Sequence, residues 1–212
     1  MTPRTALVIV PTFNERDNLP TLAAQHRGRI DVLHRTAQRG LGRSYIDGIR
    51  SALGEPADVI CQMDADLSHD PRQLADLLAA IDRADLVVGS RYVPGGRIVN
   101  WPRRRQLLSR FANLYVRTVT RLNVRDCTSG YRCWRRPMLA ALPLDRFISD
   151  GYSFLVEMLY VASRHGCRIA EVPITFVERR RGESKLSGAV LVESAVTPWR
   201  LIAAKAAATR RA

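Results

Sequence analysis

The sequence predicts an α/β fold with a mostly parallel central sheet flanked by helices. Three observations point there. The runs Ala6–Val10 and Asp58–Met63 are apolar and rich in β-branched residues, the pattern of strands buried on both faces. Segments with helical spacing alternate with such runs, the order that builds βαβ units. Turn-forming or acidic residues follow both of these runs, Pro11-Thr12-Phe13-Asn14 after one and Asp64-Ala65-Asp66 after the other. Open α/β sheets place their ligands at such strand ends.

The elements follow in order. Ala6–Val10 is the first strand, stopped by Pro11, and Glu15 to about Gln25 can start a helix. Ile30–His34 reads as a short second strand before the Gly-rich turn Arg39-Gly40-Leu41-Gly42. Ser44–Leu53 reads as helix and Asp58–Met63 as strand. A helix then runs to Ile81, with Asp70 as N-cap and Pro71 at its first position. Asp85–Val88 and Arg168–Phe176 are strands, and Tyr152–His165 is a helix. Gln106–Arg121 carries Leu107, Phe111, Leu114, Tyr115 and Thr118 at helical spacing among arginines, a basic amphipathic helix. The chain divides into a domain over residues 1–189 and a basic amphipathic tail over 190–212. The tail suits either a helix lying on an anionic membrane face or a C-terminal helix packed on the domain.

With 212 residues, 46% of them hydrophobic, the chain can bury a real core. Its net charge of +13 calls for a polyanionic partner: nucleic acid, an anionic membrane face or a phosphorylated substrate. Cys61, Cys127, Cys133 and Cys167 form no CxxC pair, so reduced, packed thiols in a cytoplasmic setting are expected. His26, His34, His69 and His165 lack zinc spacing, and His69, beside the carboxylates, is read as locally structural. Trp101 and Trp134 are read as core or interface aromatics. No run approaches the ~20 apolar residues that span a bilayer, so any membrane contact is expected to be peripheral.

Asp64-Ala65-Asp66 is the chemical centre of the sequence. Two carboxylates flanking one small residue at a strand end suit a hard divalent cation. Mg²⁺ in particular is usually held by one or two carboxylates plus substrate phosphates and water. The same tripeptide also occurs as an ordinary surface turn, so its context decides. Glu15 reads either as a nucleotide contact or as a helix first-turn carboxylate. Gly40 and Gly42 allow close backbone approach to a ligand or simply make a tight turn. Arg91, Arg105, Arg132, Arg179 and Lys185 are candidate anion clamps, since Arg grips phosphate oxygens as a planar fork and Lys as a point charge.

Six blocks together resemble the family-2 glycosyltransferases of GT-A fold, and among them the polyprenol-phosphate (dolichol-phosphate) mannose synthases. They are Val10–Glu15, Arg39–Gly42, Met63–Pro71, Gly89–Gly96, Asp126–Arg132 and Glu171–Arg179 with Gly182–Lys185, in the family's order across nearly the whole chain. The resemblance implies inverting transfer of mannose from GDP-mannose to polyprenol phosphate by an enzyme peripheral on the cytoplasmic face of a membrane. It implies Mg²⁺ or Mn²⁺ held by Asp64 and Asp66 with Ser68. It places Pro11, Phe13, Glu15, Gly40, Asp64, Ala65, Asp66, Arg179 and Lys185 at the nucleotide sugar, and Arg91, Arg105 and Arg132 at the acceptor phosphate. Asp66, Arg91, Arg105, Arg179 and Lys185 become the catalytic set. Another nucleotide sugar on the same fold, or a non-catalytic relative binding membrane or a partner, are the rival readings. The aspartate pair gives a nucleic-acid partner no role.

One departure stands out. Members carry a strand ending in an Asp-Asp-x-Ser-x-Asp-Gly-Thr block after the first helix, and its acidic residues help bind the nucleotide. Here Asn18–Leu22 passes to His26–Arg29 without it. Either the sequence is incomplete near residues 22–29 or the chain has lost about one strand and one helix, the content of a βα unit.

Overall fold

The apolar runs around Ile60 and Val87 become fully buried strands, and the run around Val8 a partly covered one, of a single sheet. The computed structural model describes residues 4–13, 15–25, 28–35, 40–149, 151–178 and 188–209. Strands β1 (Ala6–Ile9), β2 (Val59–Gln62), β3 (Leu86–Ser90), β5 (Arg132–Arg135) and β6 (Ile169–Pro173) form a sheet in the order β1-β2-β5-β3-β6. β1, β2, β3 and β6 run the same way, and β5 runs against them between β2 and β3. The short strands β4 (Arg97–Val99) and β7 (Thr175–Val177) pair separately, in parallel.

Seven α-helices surround these sheets among the described residues: α1 (Leu19–Gln25), α2 (Leu41–Gly54), α3 (Leu74–Ala80), α4 (Arg103–Thr120), α5 (Arg136–Ala140), α6 (Ser153–Arg164) and α7 (Gly188–Thr209). One sheet face packs Tyr45, Ile49, Trp134, Phe154, Met158 and Leu159 into the larger core, with α2 and α6. The other buries Cys61, Leu77, Ile81, Val87, Tyr131 and Cys133 against α3. Helix α6 is buried on nearly every side, which matches its largely apolar sequence; its buried Glu157 accepts from the Ile148 and Ser149 N–H groups. All four cysteines are free thiols.

Asp70 caps as expected: its carboxylate accepts from the Arg72 N–H, with Pro71 at the first position. The segment opens as a 3₁₀ turn, Pro71–Gln73, before α3 proper. The expected strand Arg168–Phe176 splits at Ile174, whose backbone N–H donates to Ser90 O, so β6 stays in the main sheet and β7 leaves it. The tail is the main part of α7, which packs on α4 and α6 and buries Thr197 and Leu201.

Two expectations need correction. Strand β5 and helix α5 were not expected, because Arg-Cys-Trp-Arg lacks strand alternation; the strand's first three residues are nonetheless buried. Ile30–His34, expected as a strand, is irregular, and Ile30, Val32 and Leu33 are 57%, 70% and 53% exposed. A strand needs a neighbour to take its N–H and C=O groups. β1, the strand nearest in sequence, lies at the sheet edge and pairs only with β2.

Candidate active site

The site is built where β2 ends. Beyond Gln62, Met63 N–H still donates to Ile9 O of β1, and the chain then turns through Asp64-Ala65-Asp66. Leu67 takes a left-handed conformation, φ +60°, which a non-glycine residue adopts only at some cost. Local polar bonds hold that turn. The Asp66 carboxylate accepts from the Ser68 N–H at 3.1 Å and from the Ser68 hydroxyl at 2.5 Å. Asp64 N–H donates to His69 Nδ1 at 3.2 Å. Tyr45, buried on α2, donates its hydroxyl to Asp64 Oδ1 at 3.4 Å, and burial together with the Asp64 charge pushes that phenol well above its ordinary range. From the other side the loop before β5 closes in. A Cβ at Gly130 would lie 3.0 Å from Asp64 Oδ1, close enough to push the carboxylate aside by a few tenths of an ångström.

Asp64, Ala65, Asp66 and Ser68 are therefore brought together as expected, but Ser68 is buried and bonded to Asp66. Its first effect is to orient that carboxylate. Among the described residues no three His, Cys, Asp or Glu side chains cluster as a closed metal cage. Two carboxylates and a hydroxyl make an all-oxygen, incomplete donor set. That suits Mg²⁺ or Mn²⁺ shared with phosphate oxygens, and does not suit a structural zinc.

The arginines separate into different roles. Arg91, nearly buried after β3, makes a bidentate pair with Asp126 (2.7 Å for Nε and for Nη2) and donates to Thr128 Oγ1 at 2.8 Å. The rings of Tyr92, Trp101 and Phe176 lie 5.2–5.7 Å from its guanidinium carbon. Burial alone would raise Asp126, yet the Arg91 charge and hydrogen bonds hold it below its ordinary value. Arg132, expected at the acceptor phosphate, lies wholly inside and donates to the carbonyls of Cys127, Ser129 and Leu155. Burial lowers it to about 10. Both guanidiniums are satisfied within the protein and shape the loop over Asp64. Arg105 differs: it sits 4.0 Å over the Trp101 ring, pairs with Glu178 at 2.7 Å and remains about a third exposed.

On the β1 side, Pro11 and Phe13 follow the strand, with Phe13 half-exposed. Glu15 accepts from Asn18 Nδ2 at 2.6 Å, but it lies ahead of α1 and not in the helix's first turn. Gly40, φ +149°, begins α2, which carries Tyr45 to Asp64. Arg179 and Lys185 lie outside the described residues. Sequence reasoning missed Tyr45, Asp126 and Gly130 as site-shaping residues. Asp126 and Gly130 stood in a recognisable block, whereas nothing local marks Tyr45, whose partner is 19 residues away.

Breaking the Arg91–Asp126 pair should be costly. Asp126→Asn leaves a buried guanidinium short of its counter-charge and is expected to lose about 3–5 kcal/mol in urea denaturation. A loss below about 1 kcal/mol would show that the pair is dispensable. The pH dependence has a defined sign. The folded Asp126 pKa lies below the ordinary carboxylate value of about 3.9, so this stabilisation is full above that value. It is lost as pH falls through the folded pKa.

Known proteins resemble this chain in sequence and fold. Residues 7–142 match the profile described as Glycosyl transferase family 2. Undecaprenyl-phosphate mannosyltransferase of Micrococcus luteus is 43% identical to the chain over 229 aligned positions, covering 93% of this chain and 94% of that protein. Polyprenol monophosphomannose synthase of Mycolicibacterium smegmatis is 40% identical over 220 positions, covering 89% and 83%. Glucosyl-3-phosphoglycerate synthase of Mycobacterium tuberculosis, solved with Mn²⁺, uridine diphosphate and phosphoglyceric acid, superposes with a TM-score of 0.63. It is 17% identical and covered to 76%, with 94% of this chain aligned, and that likeness shows the GT-A fold. The Micrococcus alignment takes in 93% of these 212 residues yet runs to 229 positions, so about 30 positions lack a residue here. That is the size of a strand, a helix and their connections. On the match over more than half its length and on these two relatives, the chain belongs to glycosyl transferase family 2.

Proposed function

We propose that the chain transfers mannose from GDP-mannose to the phosphate of a polyprenol, with inversion, at the cytoplasmic face of a membrane. The observation that carries this reading is the carboxylate turn at the end of β2, braced by Ser68, His69 and Tyr45, in a chain 43% identical to an undecaprenyl-phosphate mannosyltransferase. Asp64 and Asp66 would hold Mg²⁺ or Mn²⁺, which when bound supplies Lewis-acid neutralisation of the leaving diphosphate. The acceptor is a phosphate monoester, largely dianionic near neutral pH because its second pKa is about 6. It attacks without a dedicated protein base, so the chain's own task is to position two polyanions. Arg105, partly exposed above Trp101, is the described arginine best placed to meet an acceptor phosphate; Arg179 and Lys185 share that anion-binding work by resemblance. Arg91 and Arg132 act one step back, by holding the loop 126–131 against the carboxylates.

The acceptor's lipid side has a matching surface. Leu107, Phe111 and Leu114 stand exposed on α4, one turn apart, among exposed Arg103, Arg104 and Arg110. Helix α7 adds exposed Val192, Val196 and Trp199, joined to α4 by Tyr115, whose hydroxyl donates to Ala195 O and accepts from Trp199 Nε1. Apolar side chains rimmed by arginine suit an anionic bilayer interface. Among the described residues no helix is long and apolar enough to cross a membrane.

A second reading, a relative that no longer binds donor, is favoured by one observation. About 30 positions of the Micrococcus protein have no counterpart here, and β1 is left at the sheet edge. Labelled GDP-mannose, polyprenol phosphate and Mg²⁺ or Mn²⁺, incubated with the full chain in anionic vesicles, separate the two. A mannolipid that requires the metal and disappears in Asp66→Asn supports the transferase; UDP-glucose is expected to give less product. No product, with GDP binding indifferent to Asp66→Asn, supports the second reading. Replacing Phe111 by Ser is expected to weaken vesicle co-sedimentation about tenfold, since burying a Phe is worth about 1.5–3 kcal/mol. Unchanged co-sedimentation would move the membrane contact elsewhere.

A further inference from the structure

A non-glycine residue in the left-handed region, such as Leu67 between the carboxylates and His69, persists only where its surroundings over-determine it. Ser68 secures the Asp66 end of the turn. What secures the Asp64 end is His69. Its side chain is 1% exposed. One face stacks on Tyr131 (centroids 4.9 Å apart, 29° between planes), and Phe176 meets it edge-on at 5.3 Å. Its backbone bridges to Phe176 as well. Tyr131 is in turn tied down by its hydroxyl, which donates to Asp70 O at 3.2 Å. So clamped, the ring presents Nδ1 as acceptor to the Asp64 N–H, which leaves the proton of the neutral imidazole on Nε2. The Asp64 carboxylate itself is 3.8 Å away, beyond a hydrogen bond.

We propose that His69 is the positioning residue of the cation site: wedged between Tyr131 and Phe176, it fixes the Asp64 backbone through Nδ1 and so presents Asp64 and Asp66 as a preformed pair. It neither ligates the cation nor transfers a proton, because its acceptor nitrogen is engaged and its ring is enclosed. The stack continues outward, Phe176 meeting Trp101 edge-on at 5.4 Å, and Trp101 carries Arg105 on its face. The same aromatic series therefore supports both ends of the candidate site. This inference rests on the reading of Asp64 and Asp66 as cation ligands.

Two substitutions separate acceptor from packing. His69→Leu keeps bulk and removes the acceptor. His69→Asn loses the ring but puts an amide oxygen where Nδ1 stands. Mn²⁺ alone, titrated by electron paramagnetic resonance, is expected to bind His69→Leu about 10–100-fold more weakly than wild type, the usual cost of losing an orienting partner behind a metal ligand. His69→Asn is expected within about threefold of wild type even where its melting temperature falls. Equal Mn²⁺ affinity of wild type and a folded His69→Leu, or equal impairment of both variants, overturns the proposal. Should His69→Leu not fold, amide hydrogen exchange on the wild-type protein decides: the Asp64 amide is expected to be protected like the amides of β2, and free exchange overturns the proposal. Wild-type protein that binds no Mn²⁺ removes the cation-site reading and this inference with it.

Discussion

The buried ion pair between Arg91 and Asp126 is the interaction on which the site depends. Asp126 opens the loop that leads into β5, and Arg91 closes β3. Their bidentate bond, with Asp126 also accepting from the Arg91 N–H, fastens that loop to the end of the sheet. Glu171 holds the loop from beneath by accepting from the N–H groups of Arg125 and Asp126. Ser129 adds a bond to Gly89 O. The loop can then bring Gly130 against Asp64 with no side chain between them. Removing charges this thoroughly from water is expensive, and in many proteins an apolar pair would serve stability as well. Here the gain is one of geometry: three ring edges and faces, two carboxylates and a glycine are fixed relative to one another.

Much of this was legible from sequence wherever the signal was local. The β-branched runs gave β1, β2 and β3, Asp70-Pro71 gave a capped start, and Asp64-Ala65-Asp66 fell at a strand end. What was not legible depends on distant partners. Arg132 has the residue type of an anion clamp, but three carbonyls, one of them Leu155 O on α6, take its donors instead. Arg91 likewise carries a fork suited to phosphate, and a carboxylate 35 residues on already fills it. Strand β5 escaped notice because Arg132 and Trp134, both fully buried, do not look like one face of a strand until their internal partners are known.

Ile30–His34 shows the converse. Its sequence is strand-like, yet Ile30, Val32 and Leu33 face solvent, while among the described residues β1 ends the sheet with an unpaired side. Strand propensity is realised only against a neighbour. The Micrococcus and Mycolicibacterium relatives each align over more positions than this chain has residues. We propose that the unmatched positions are a βα unit beside β1, whose absence would leave both the exposed apolar strip and the edge position of β1. The carboxylate turn follows the end of β2, braced by Tyr45 of α2, by Gly130 and Tyr131 of the loop before β5, and by Phe176 of β7.

The central claim is that the Asp64–Asp66 turn, as folded here, is a cation and diphosphate site. The most direct measurement is anomalous diffraction at the manganese edge from crystals of the full chain grown with MnCl₂ and GDP. The account predicts a manganese peak bounded by the Asp64 and Asp66 carboxylates, with diphosphate density beside it. Manganese bound elsewhere, or GDP bound with no metal at these two aspartates, would contradict it.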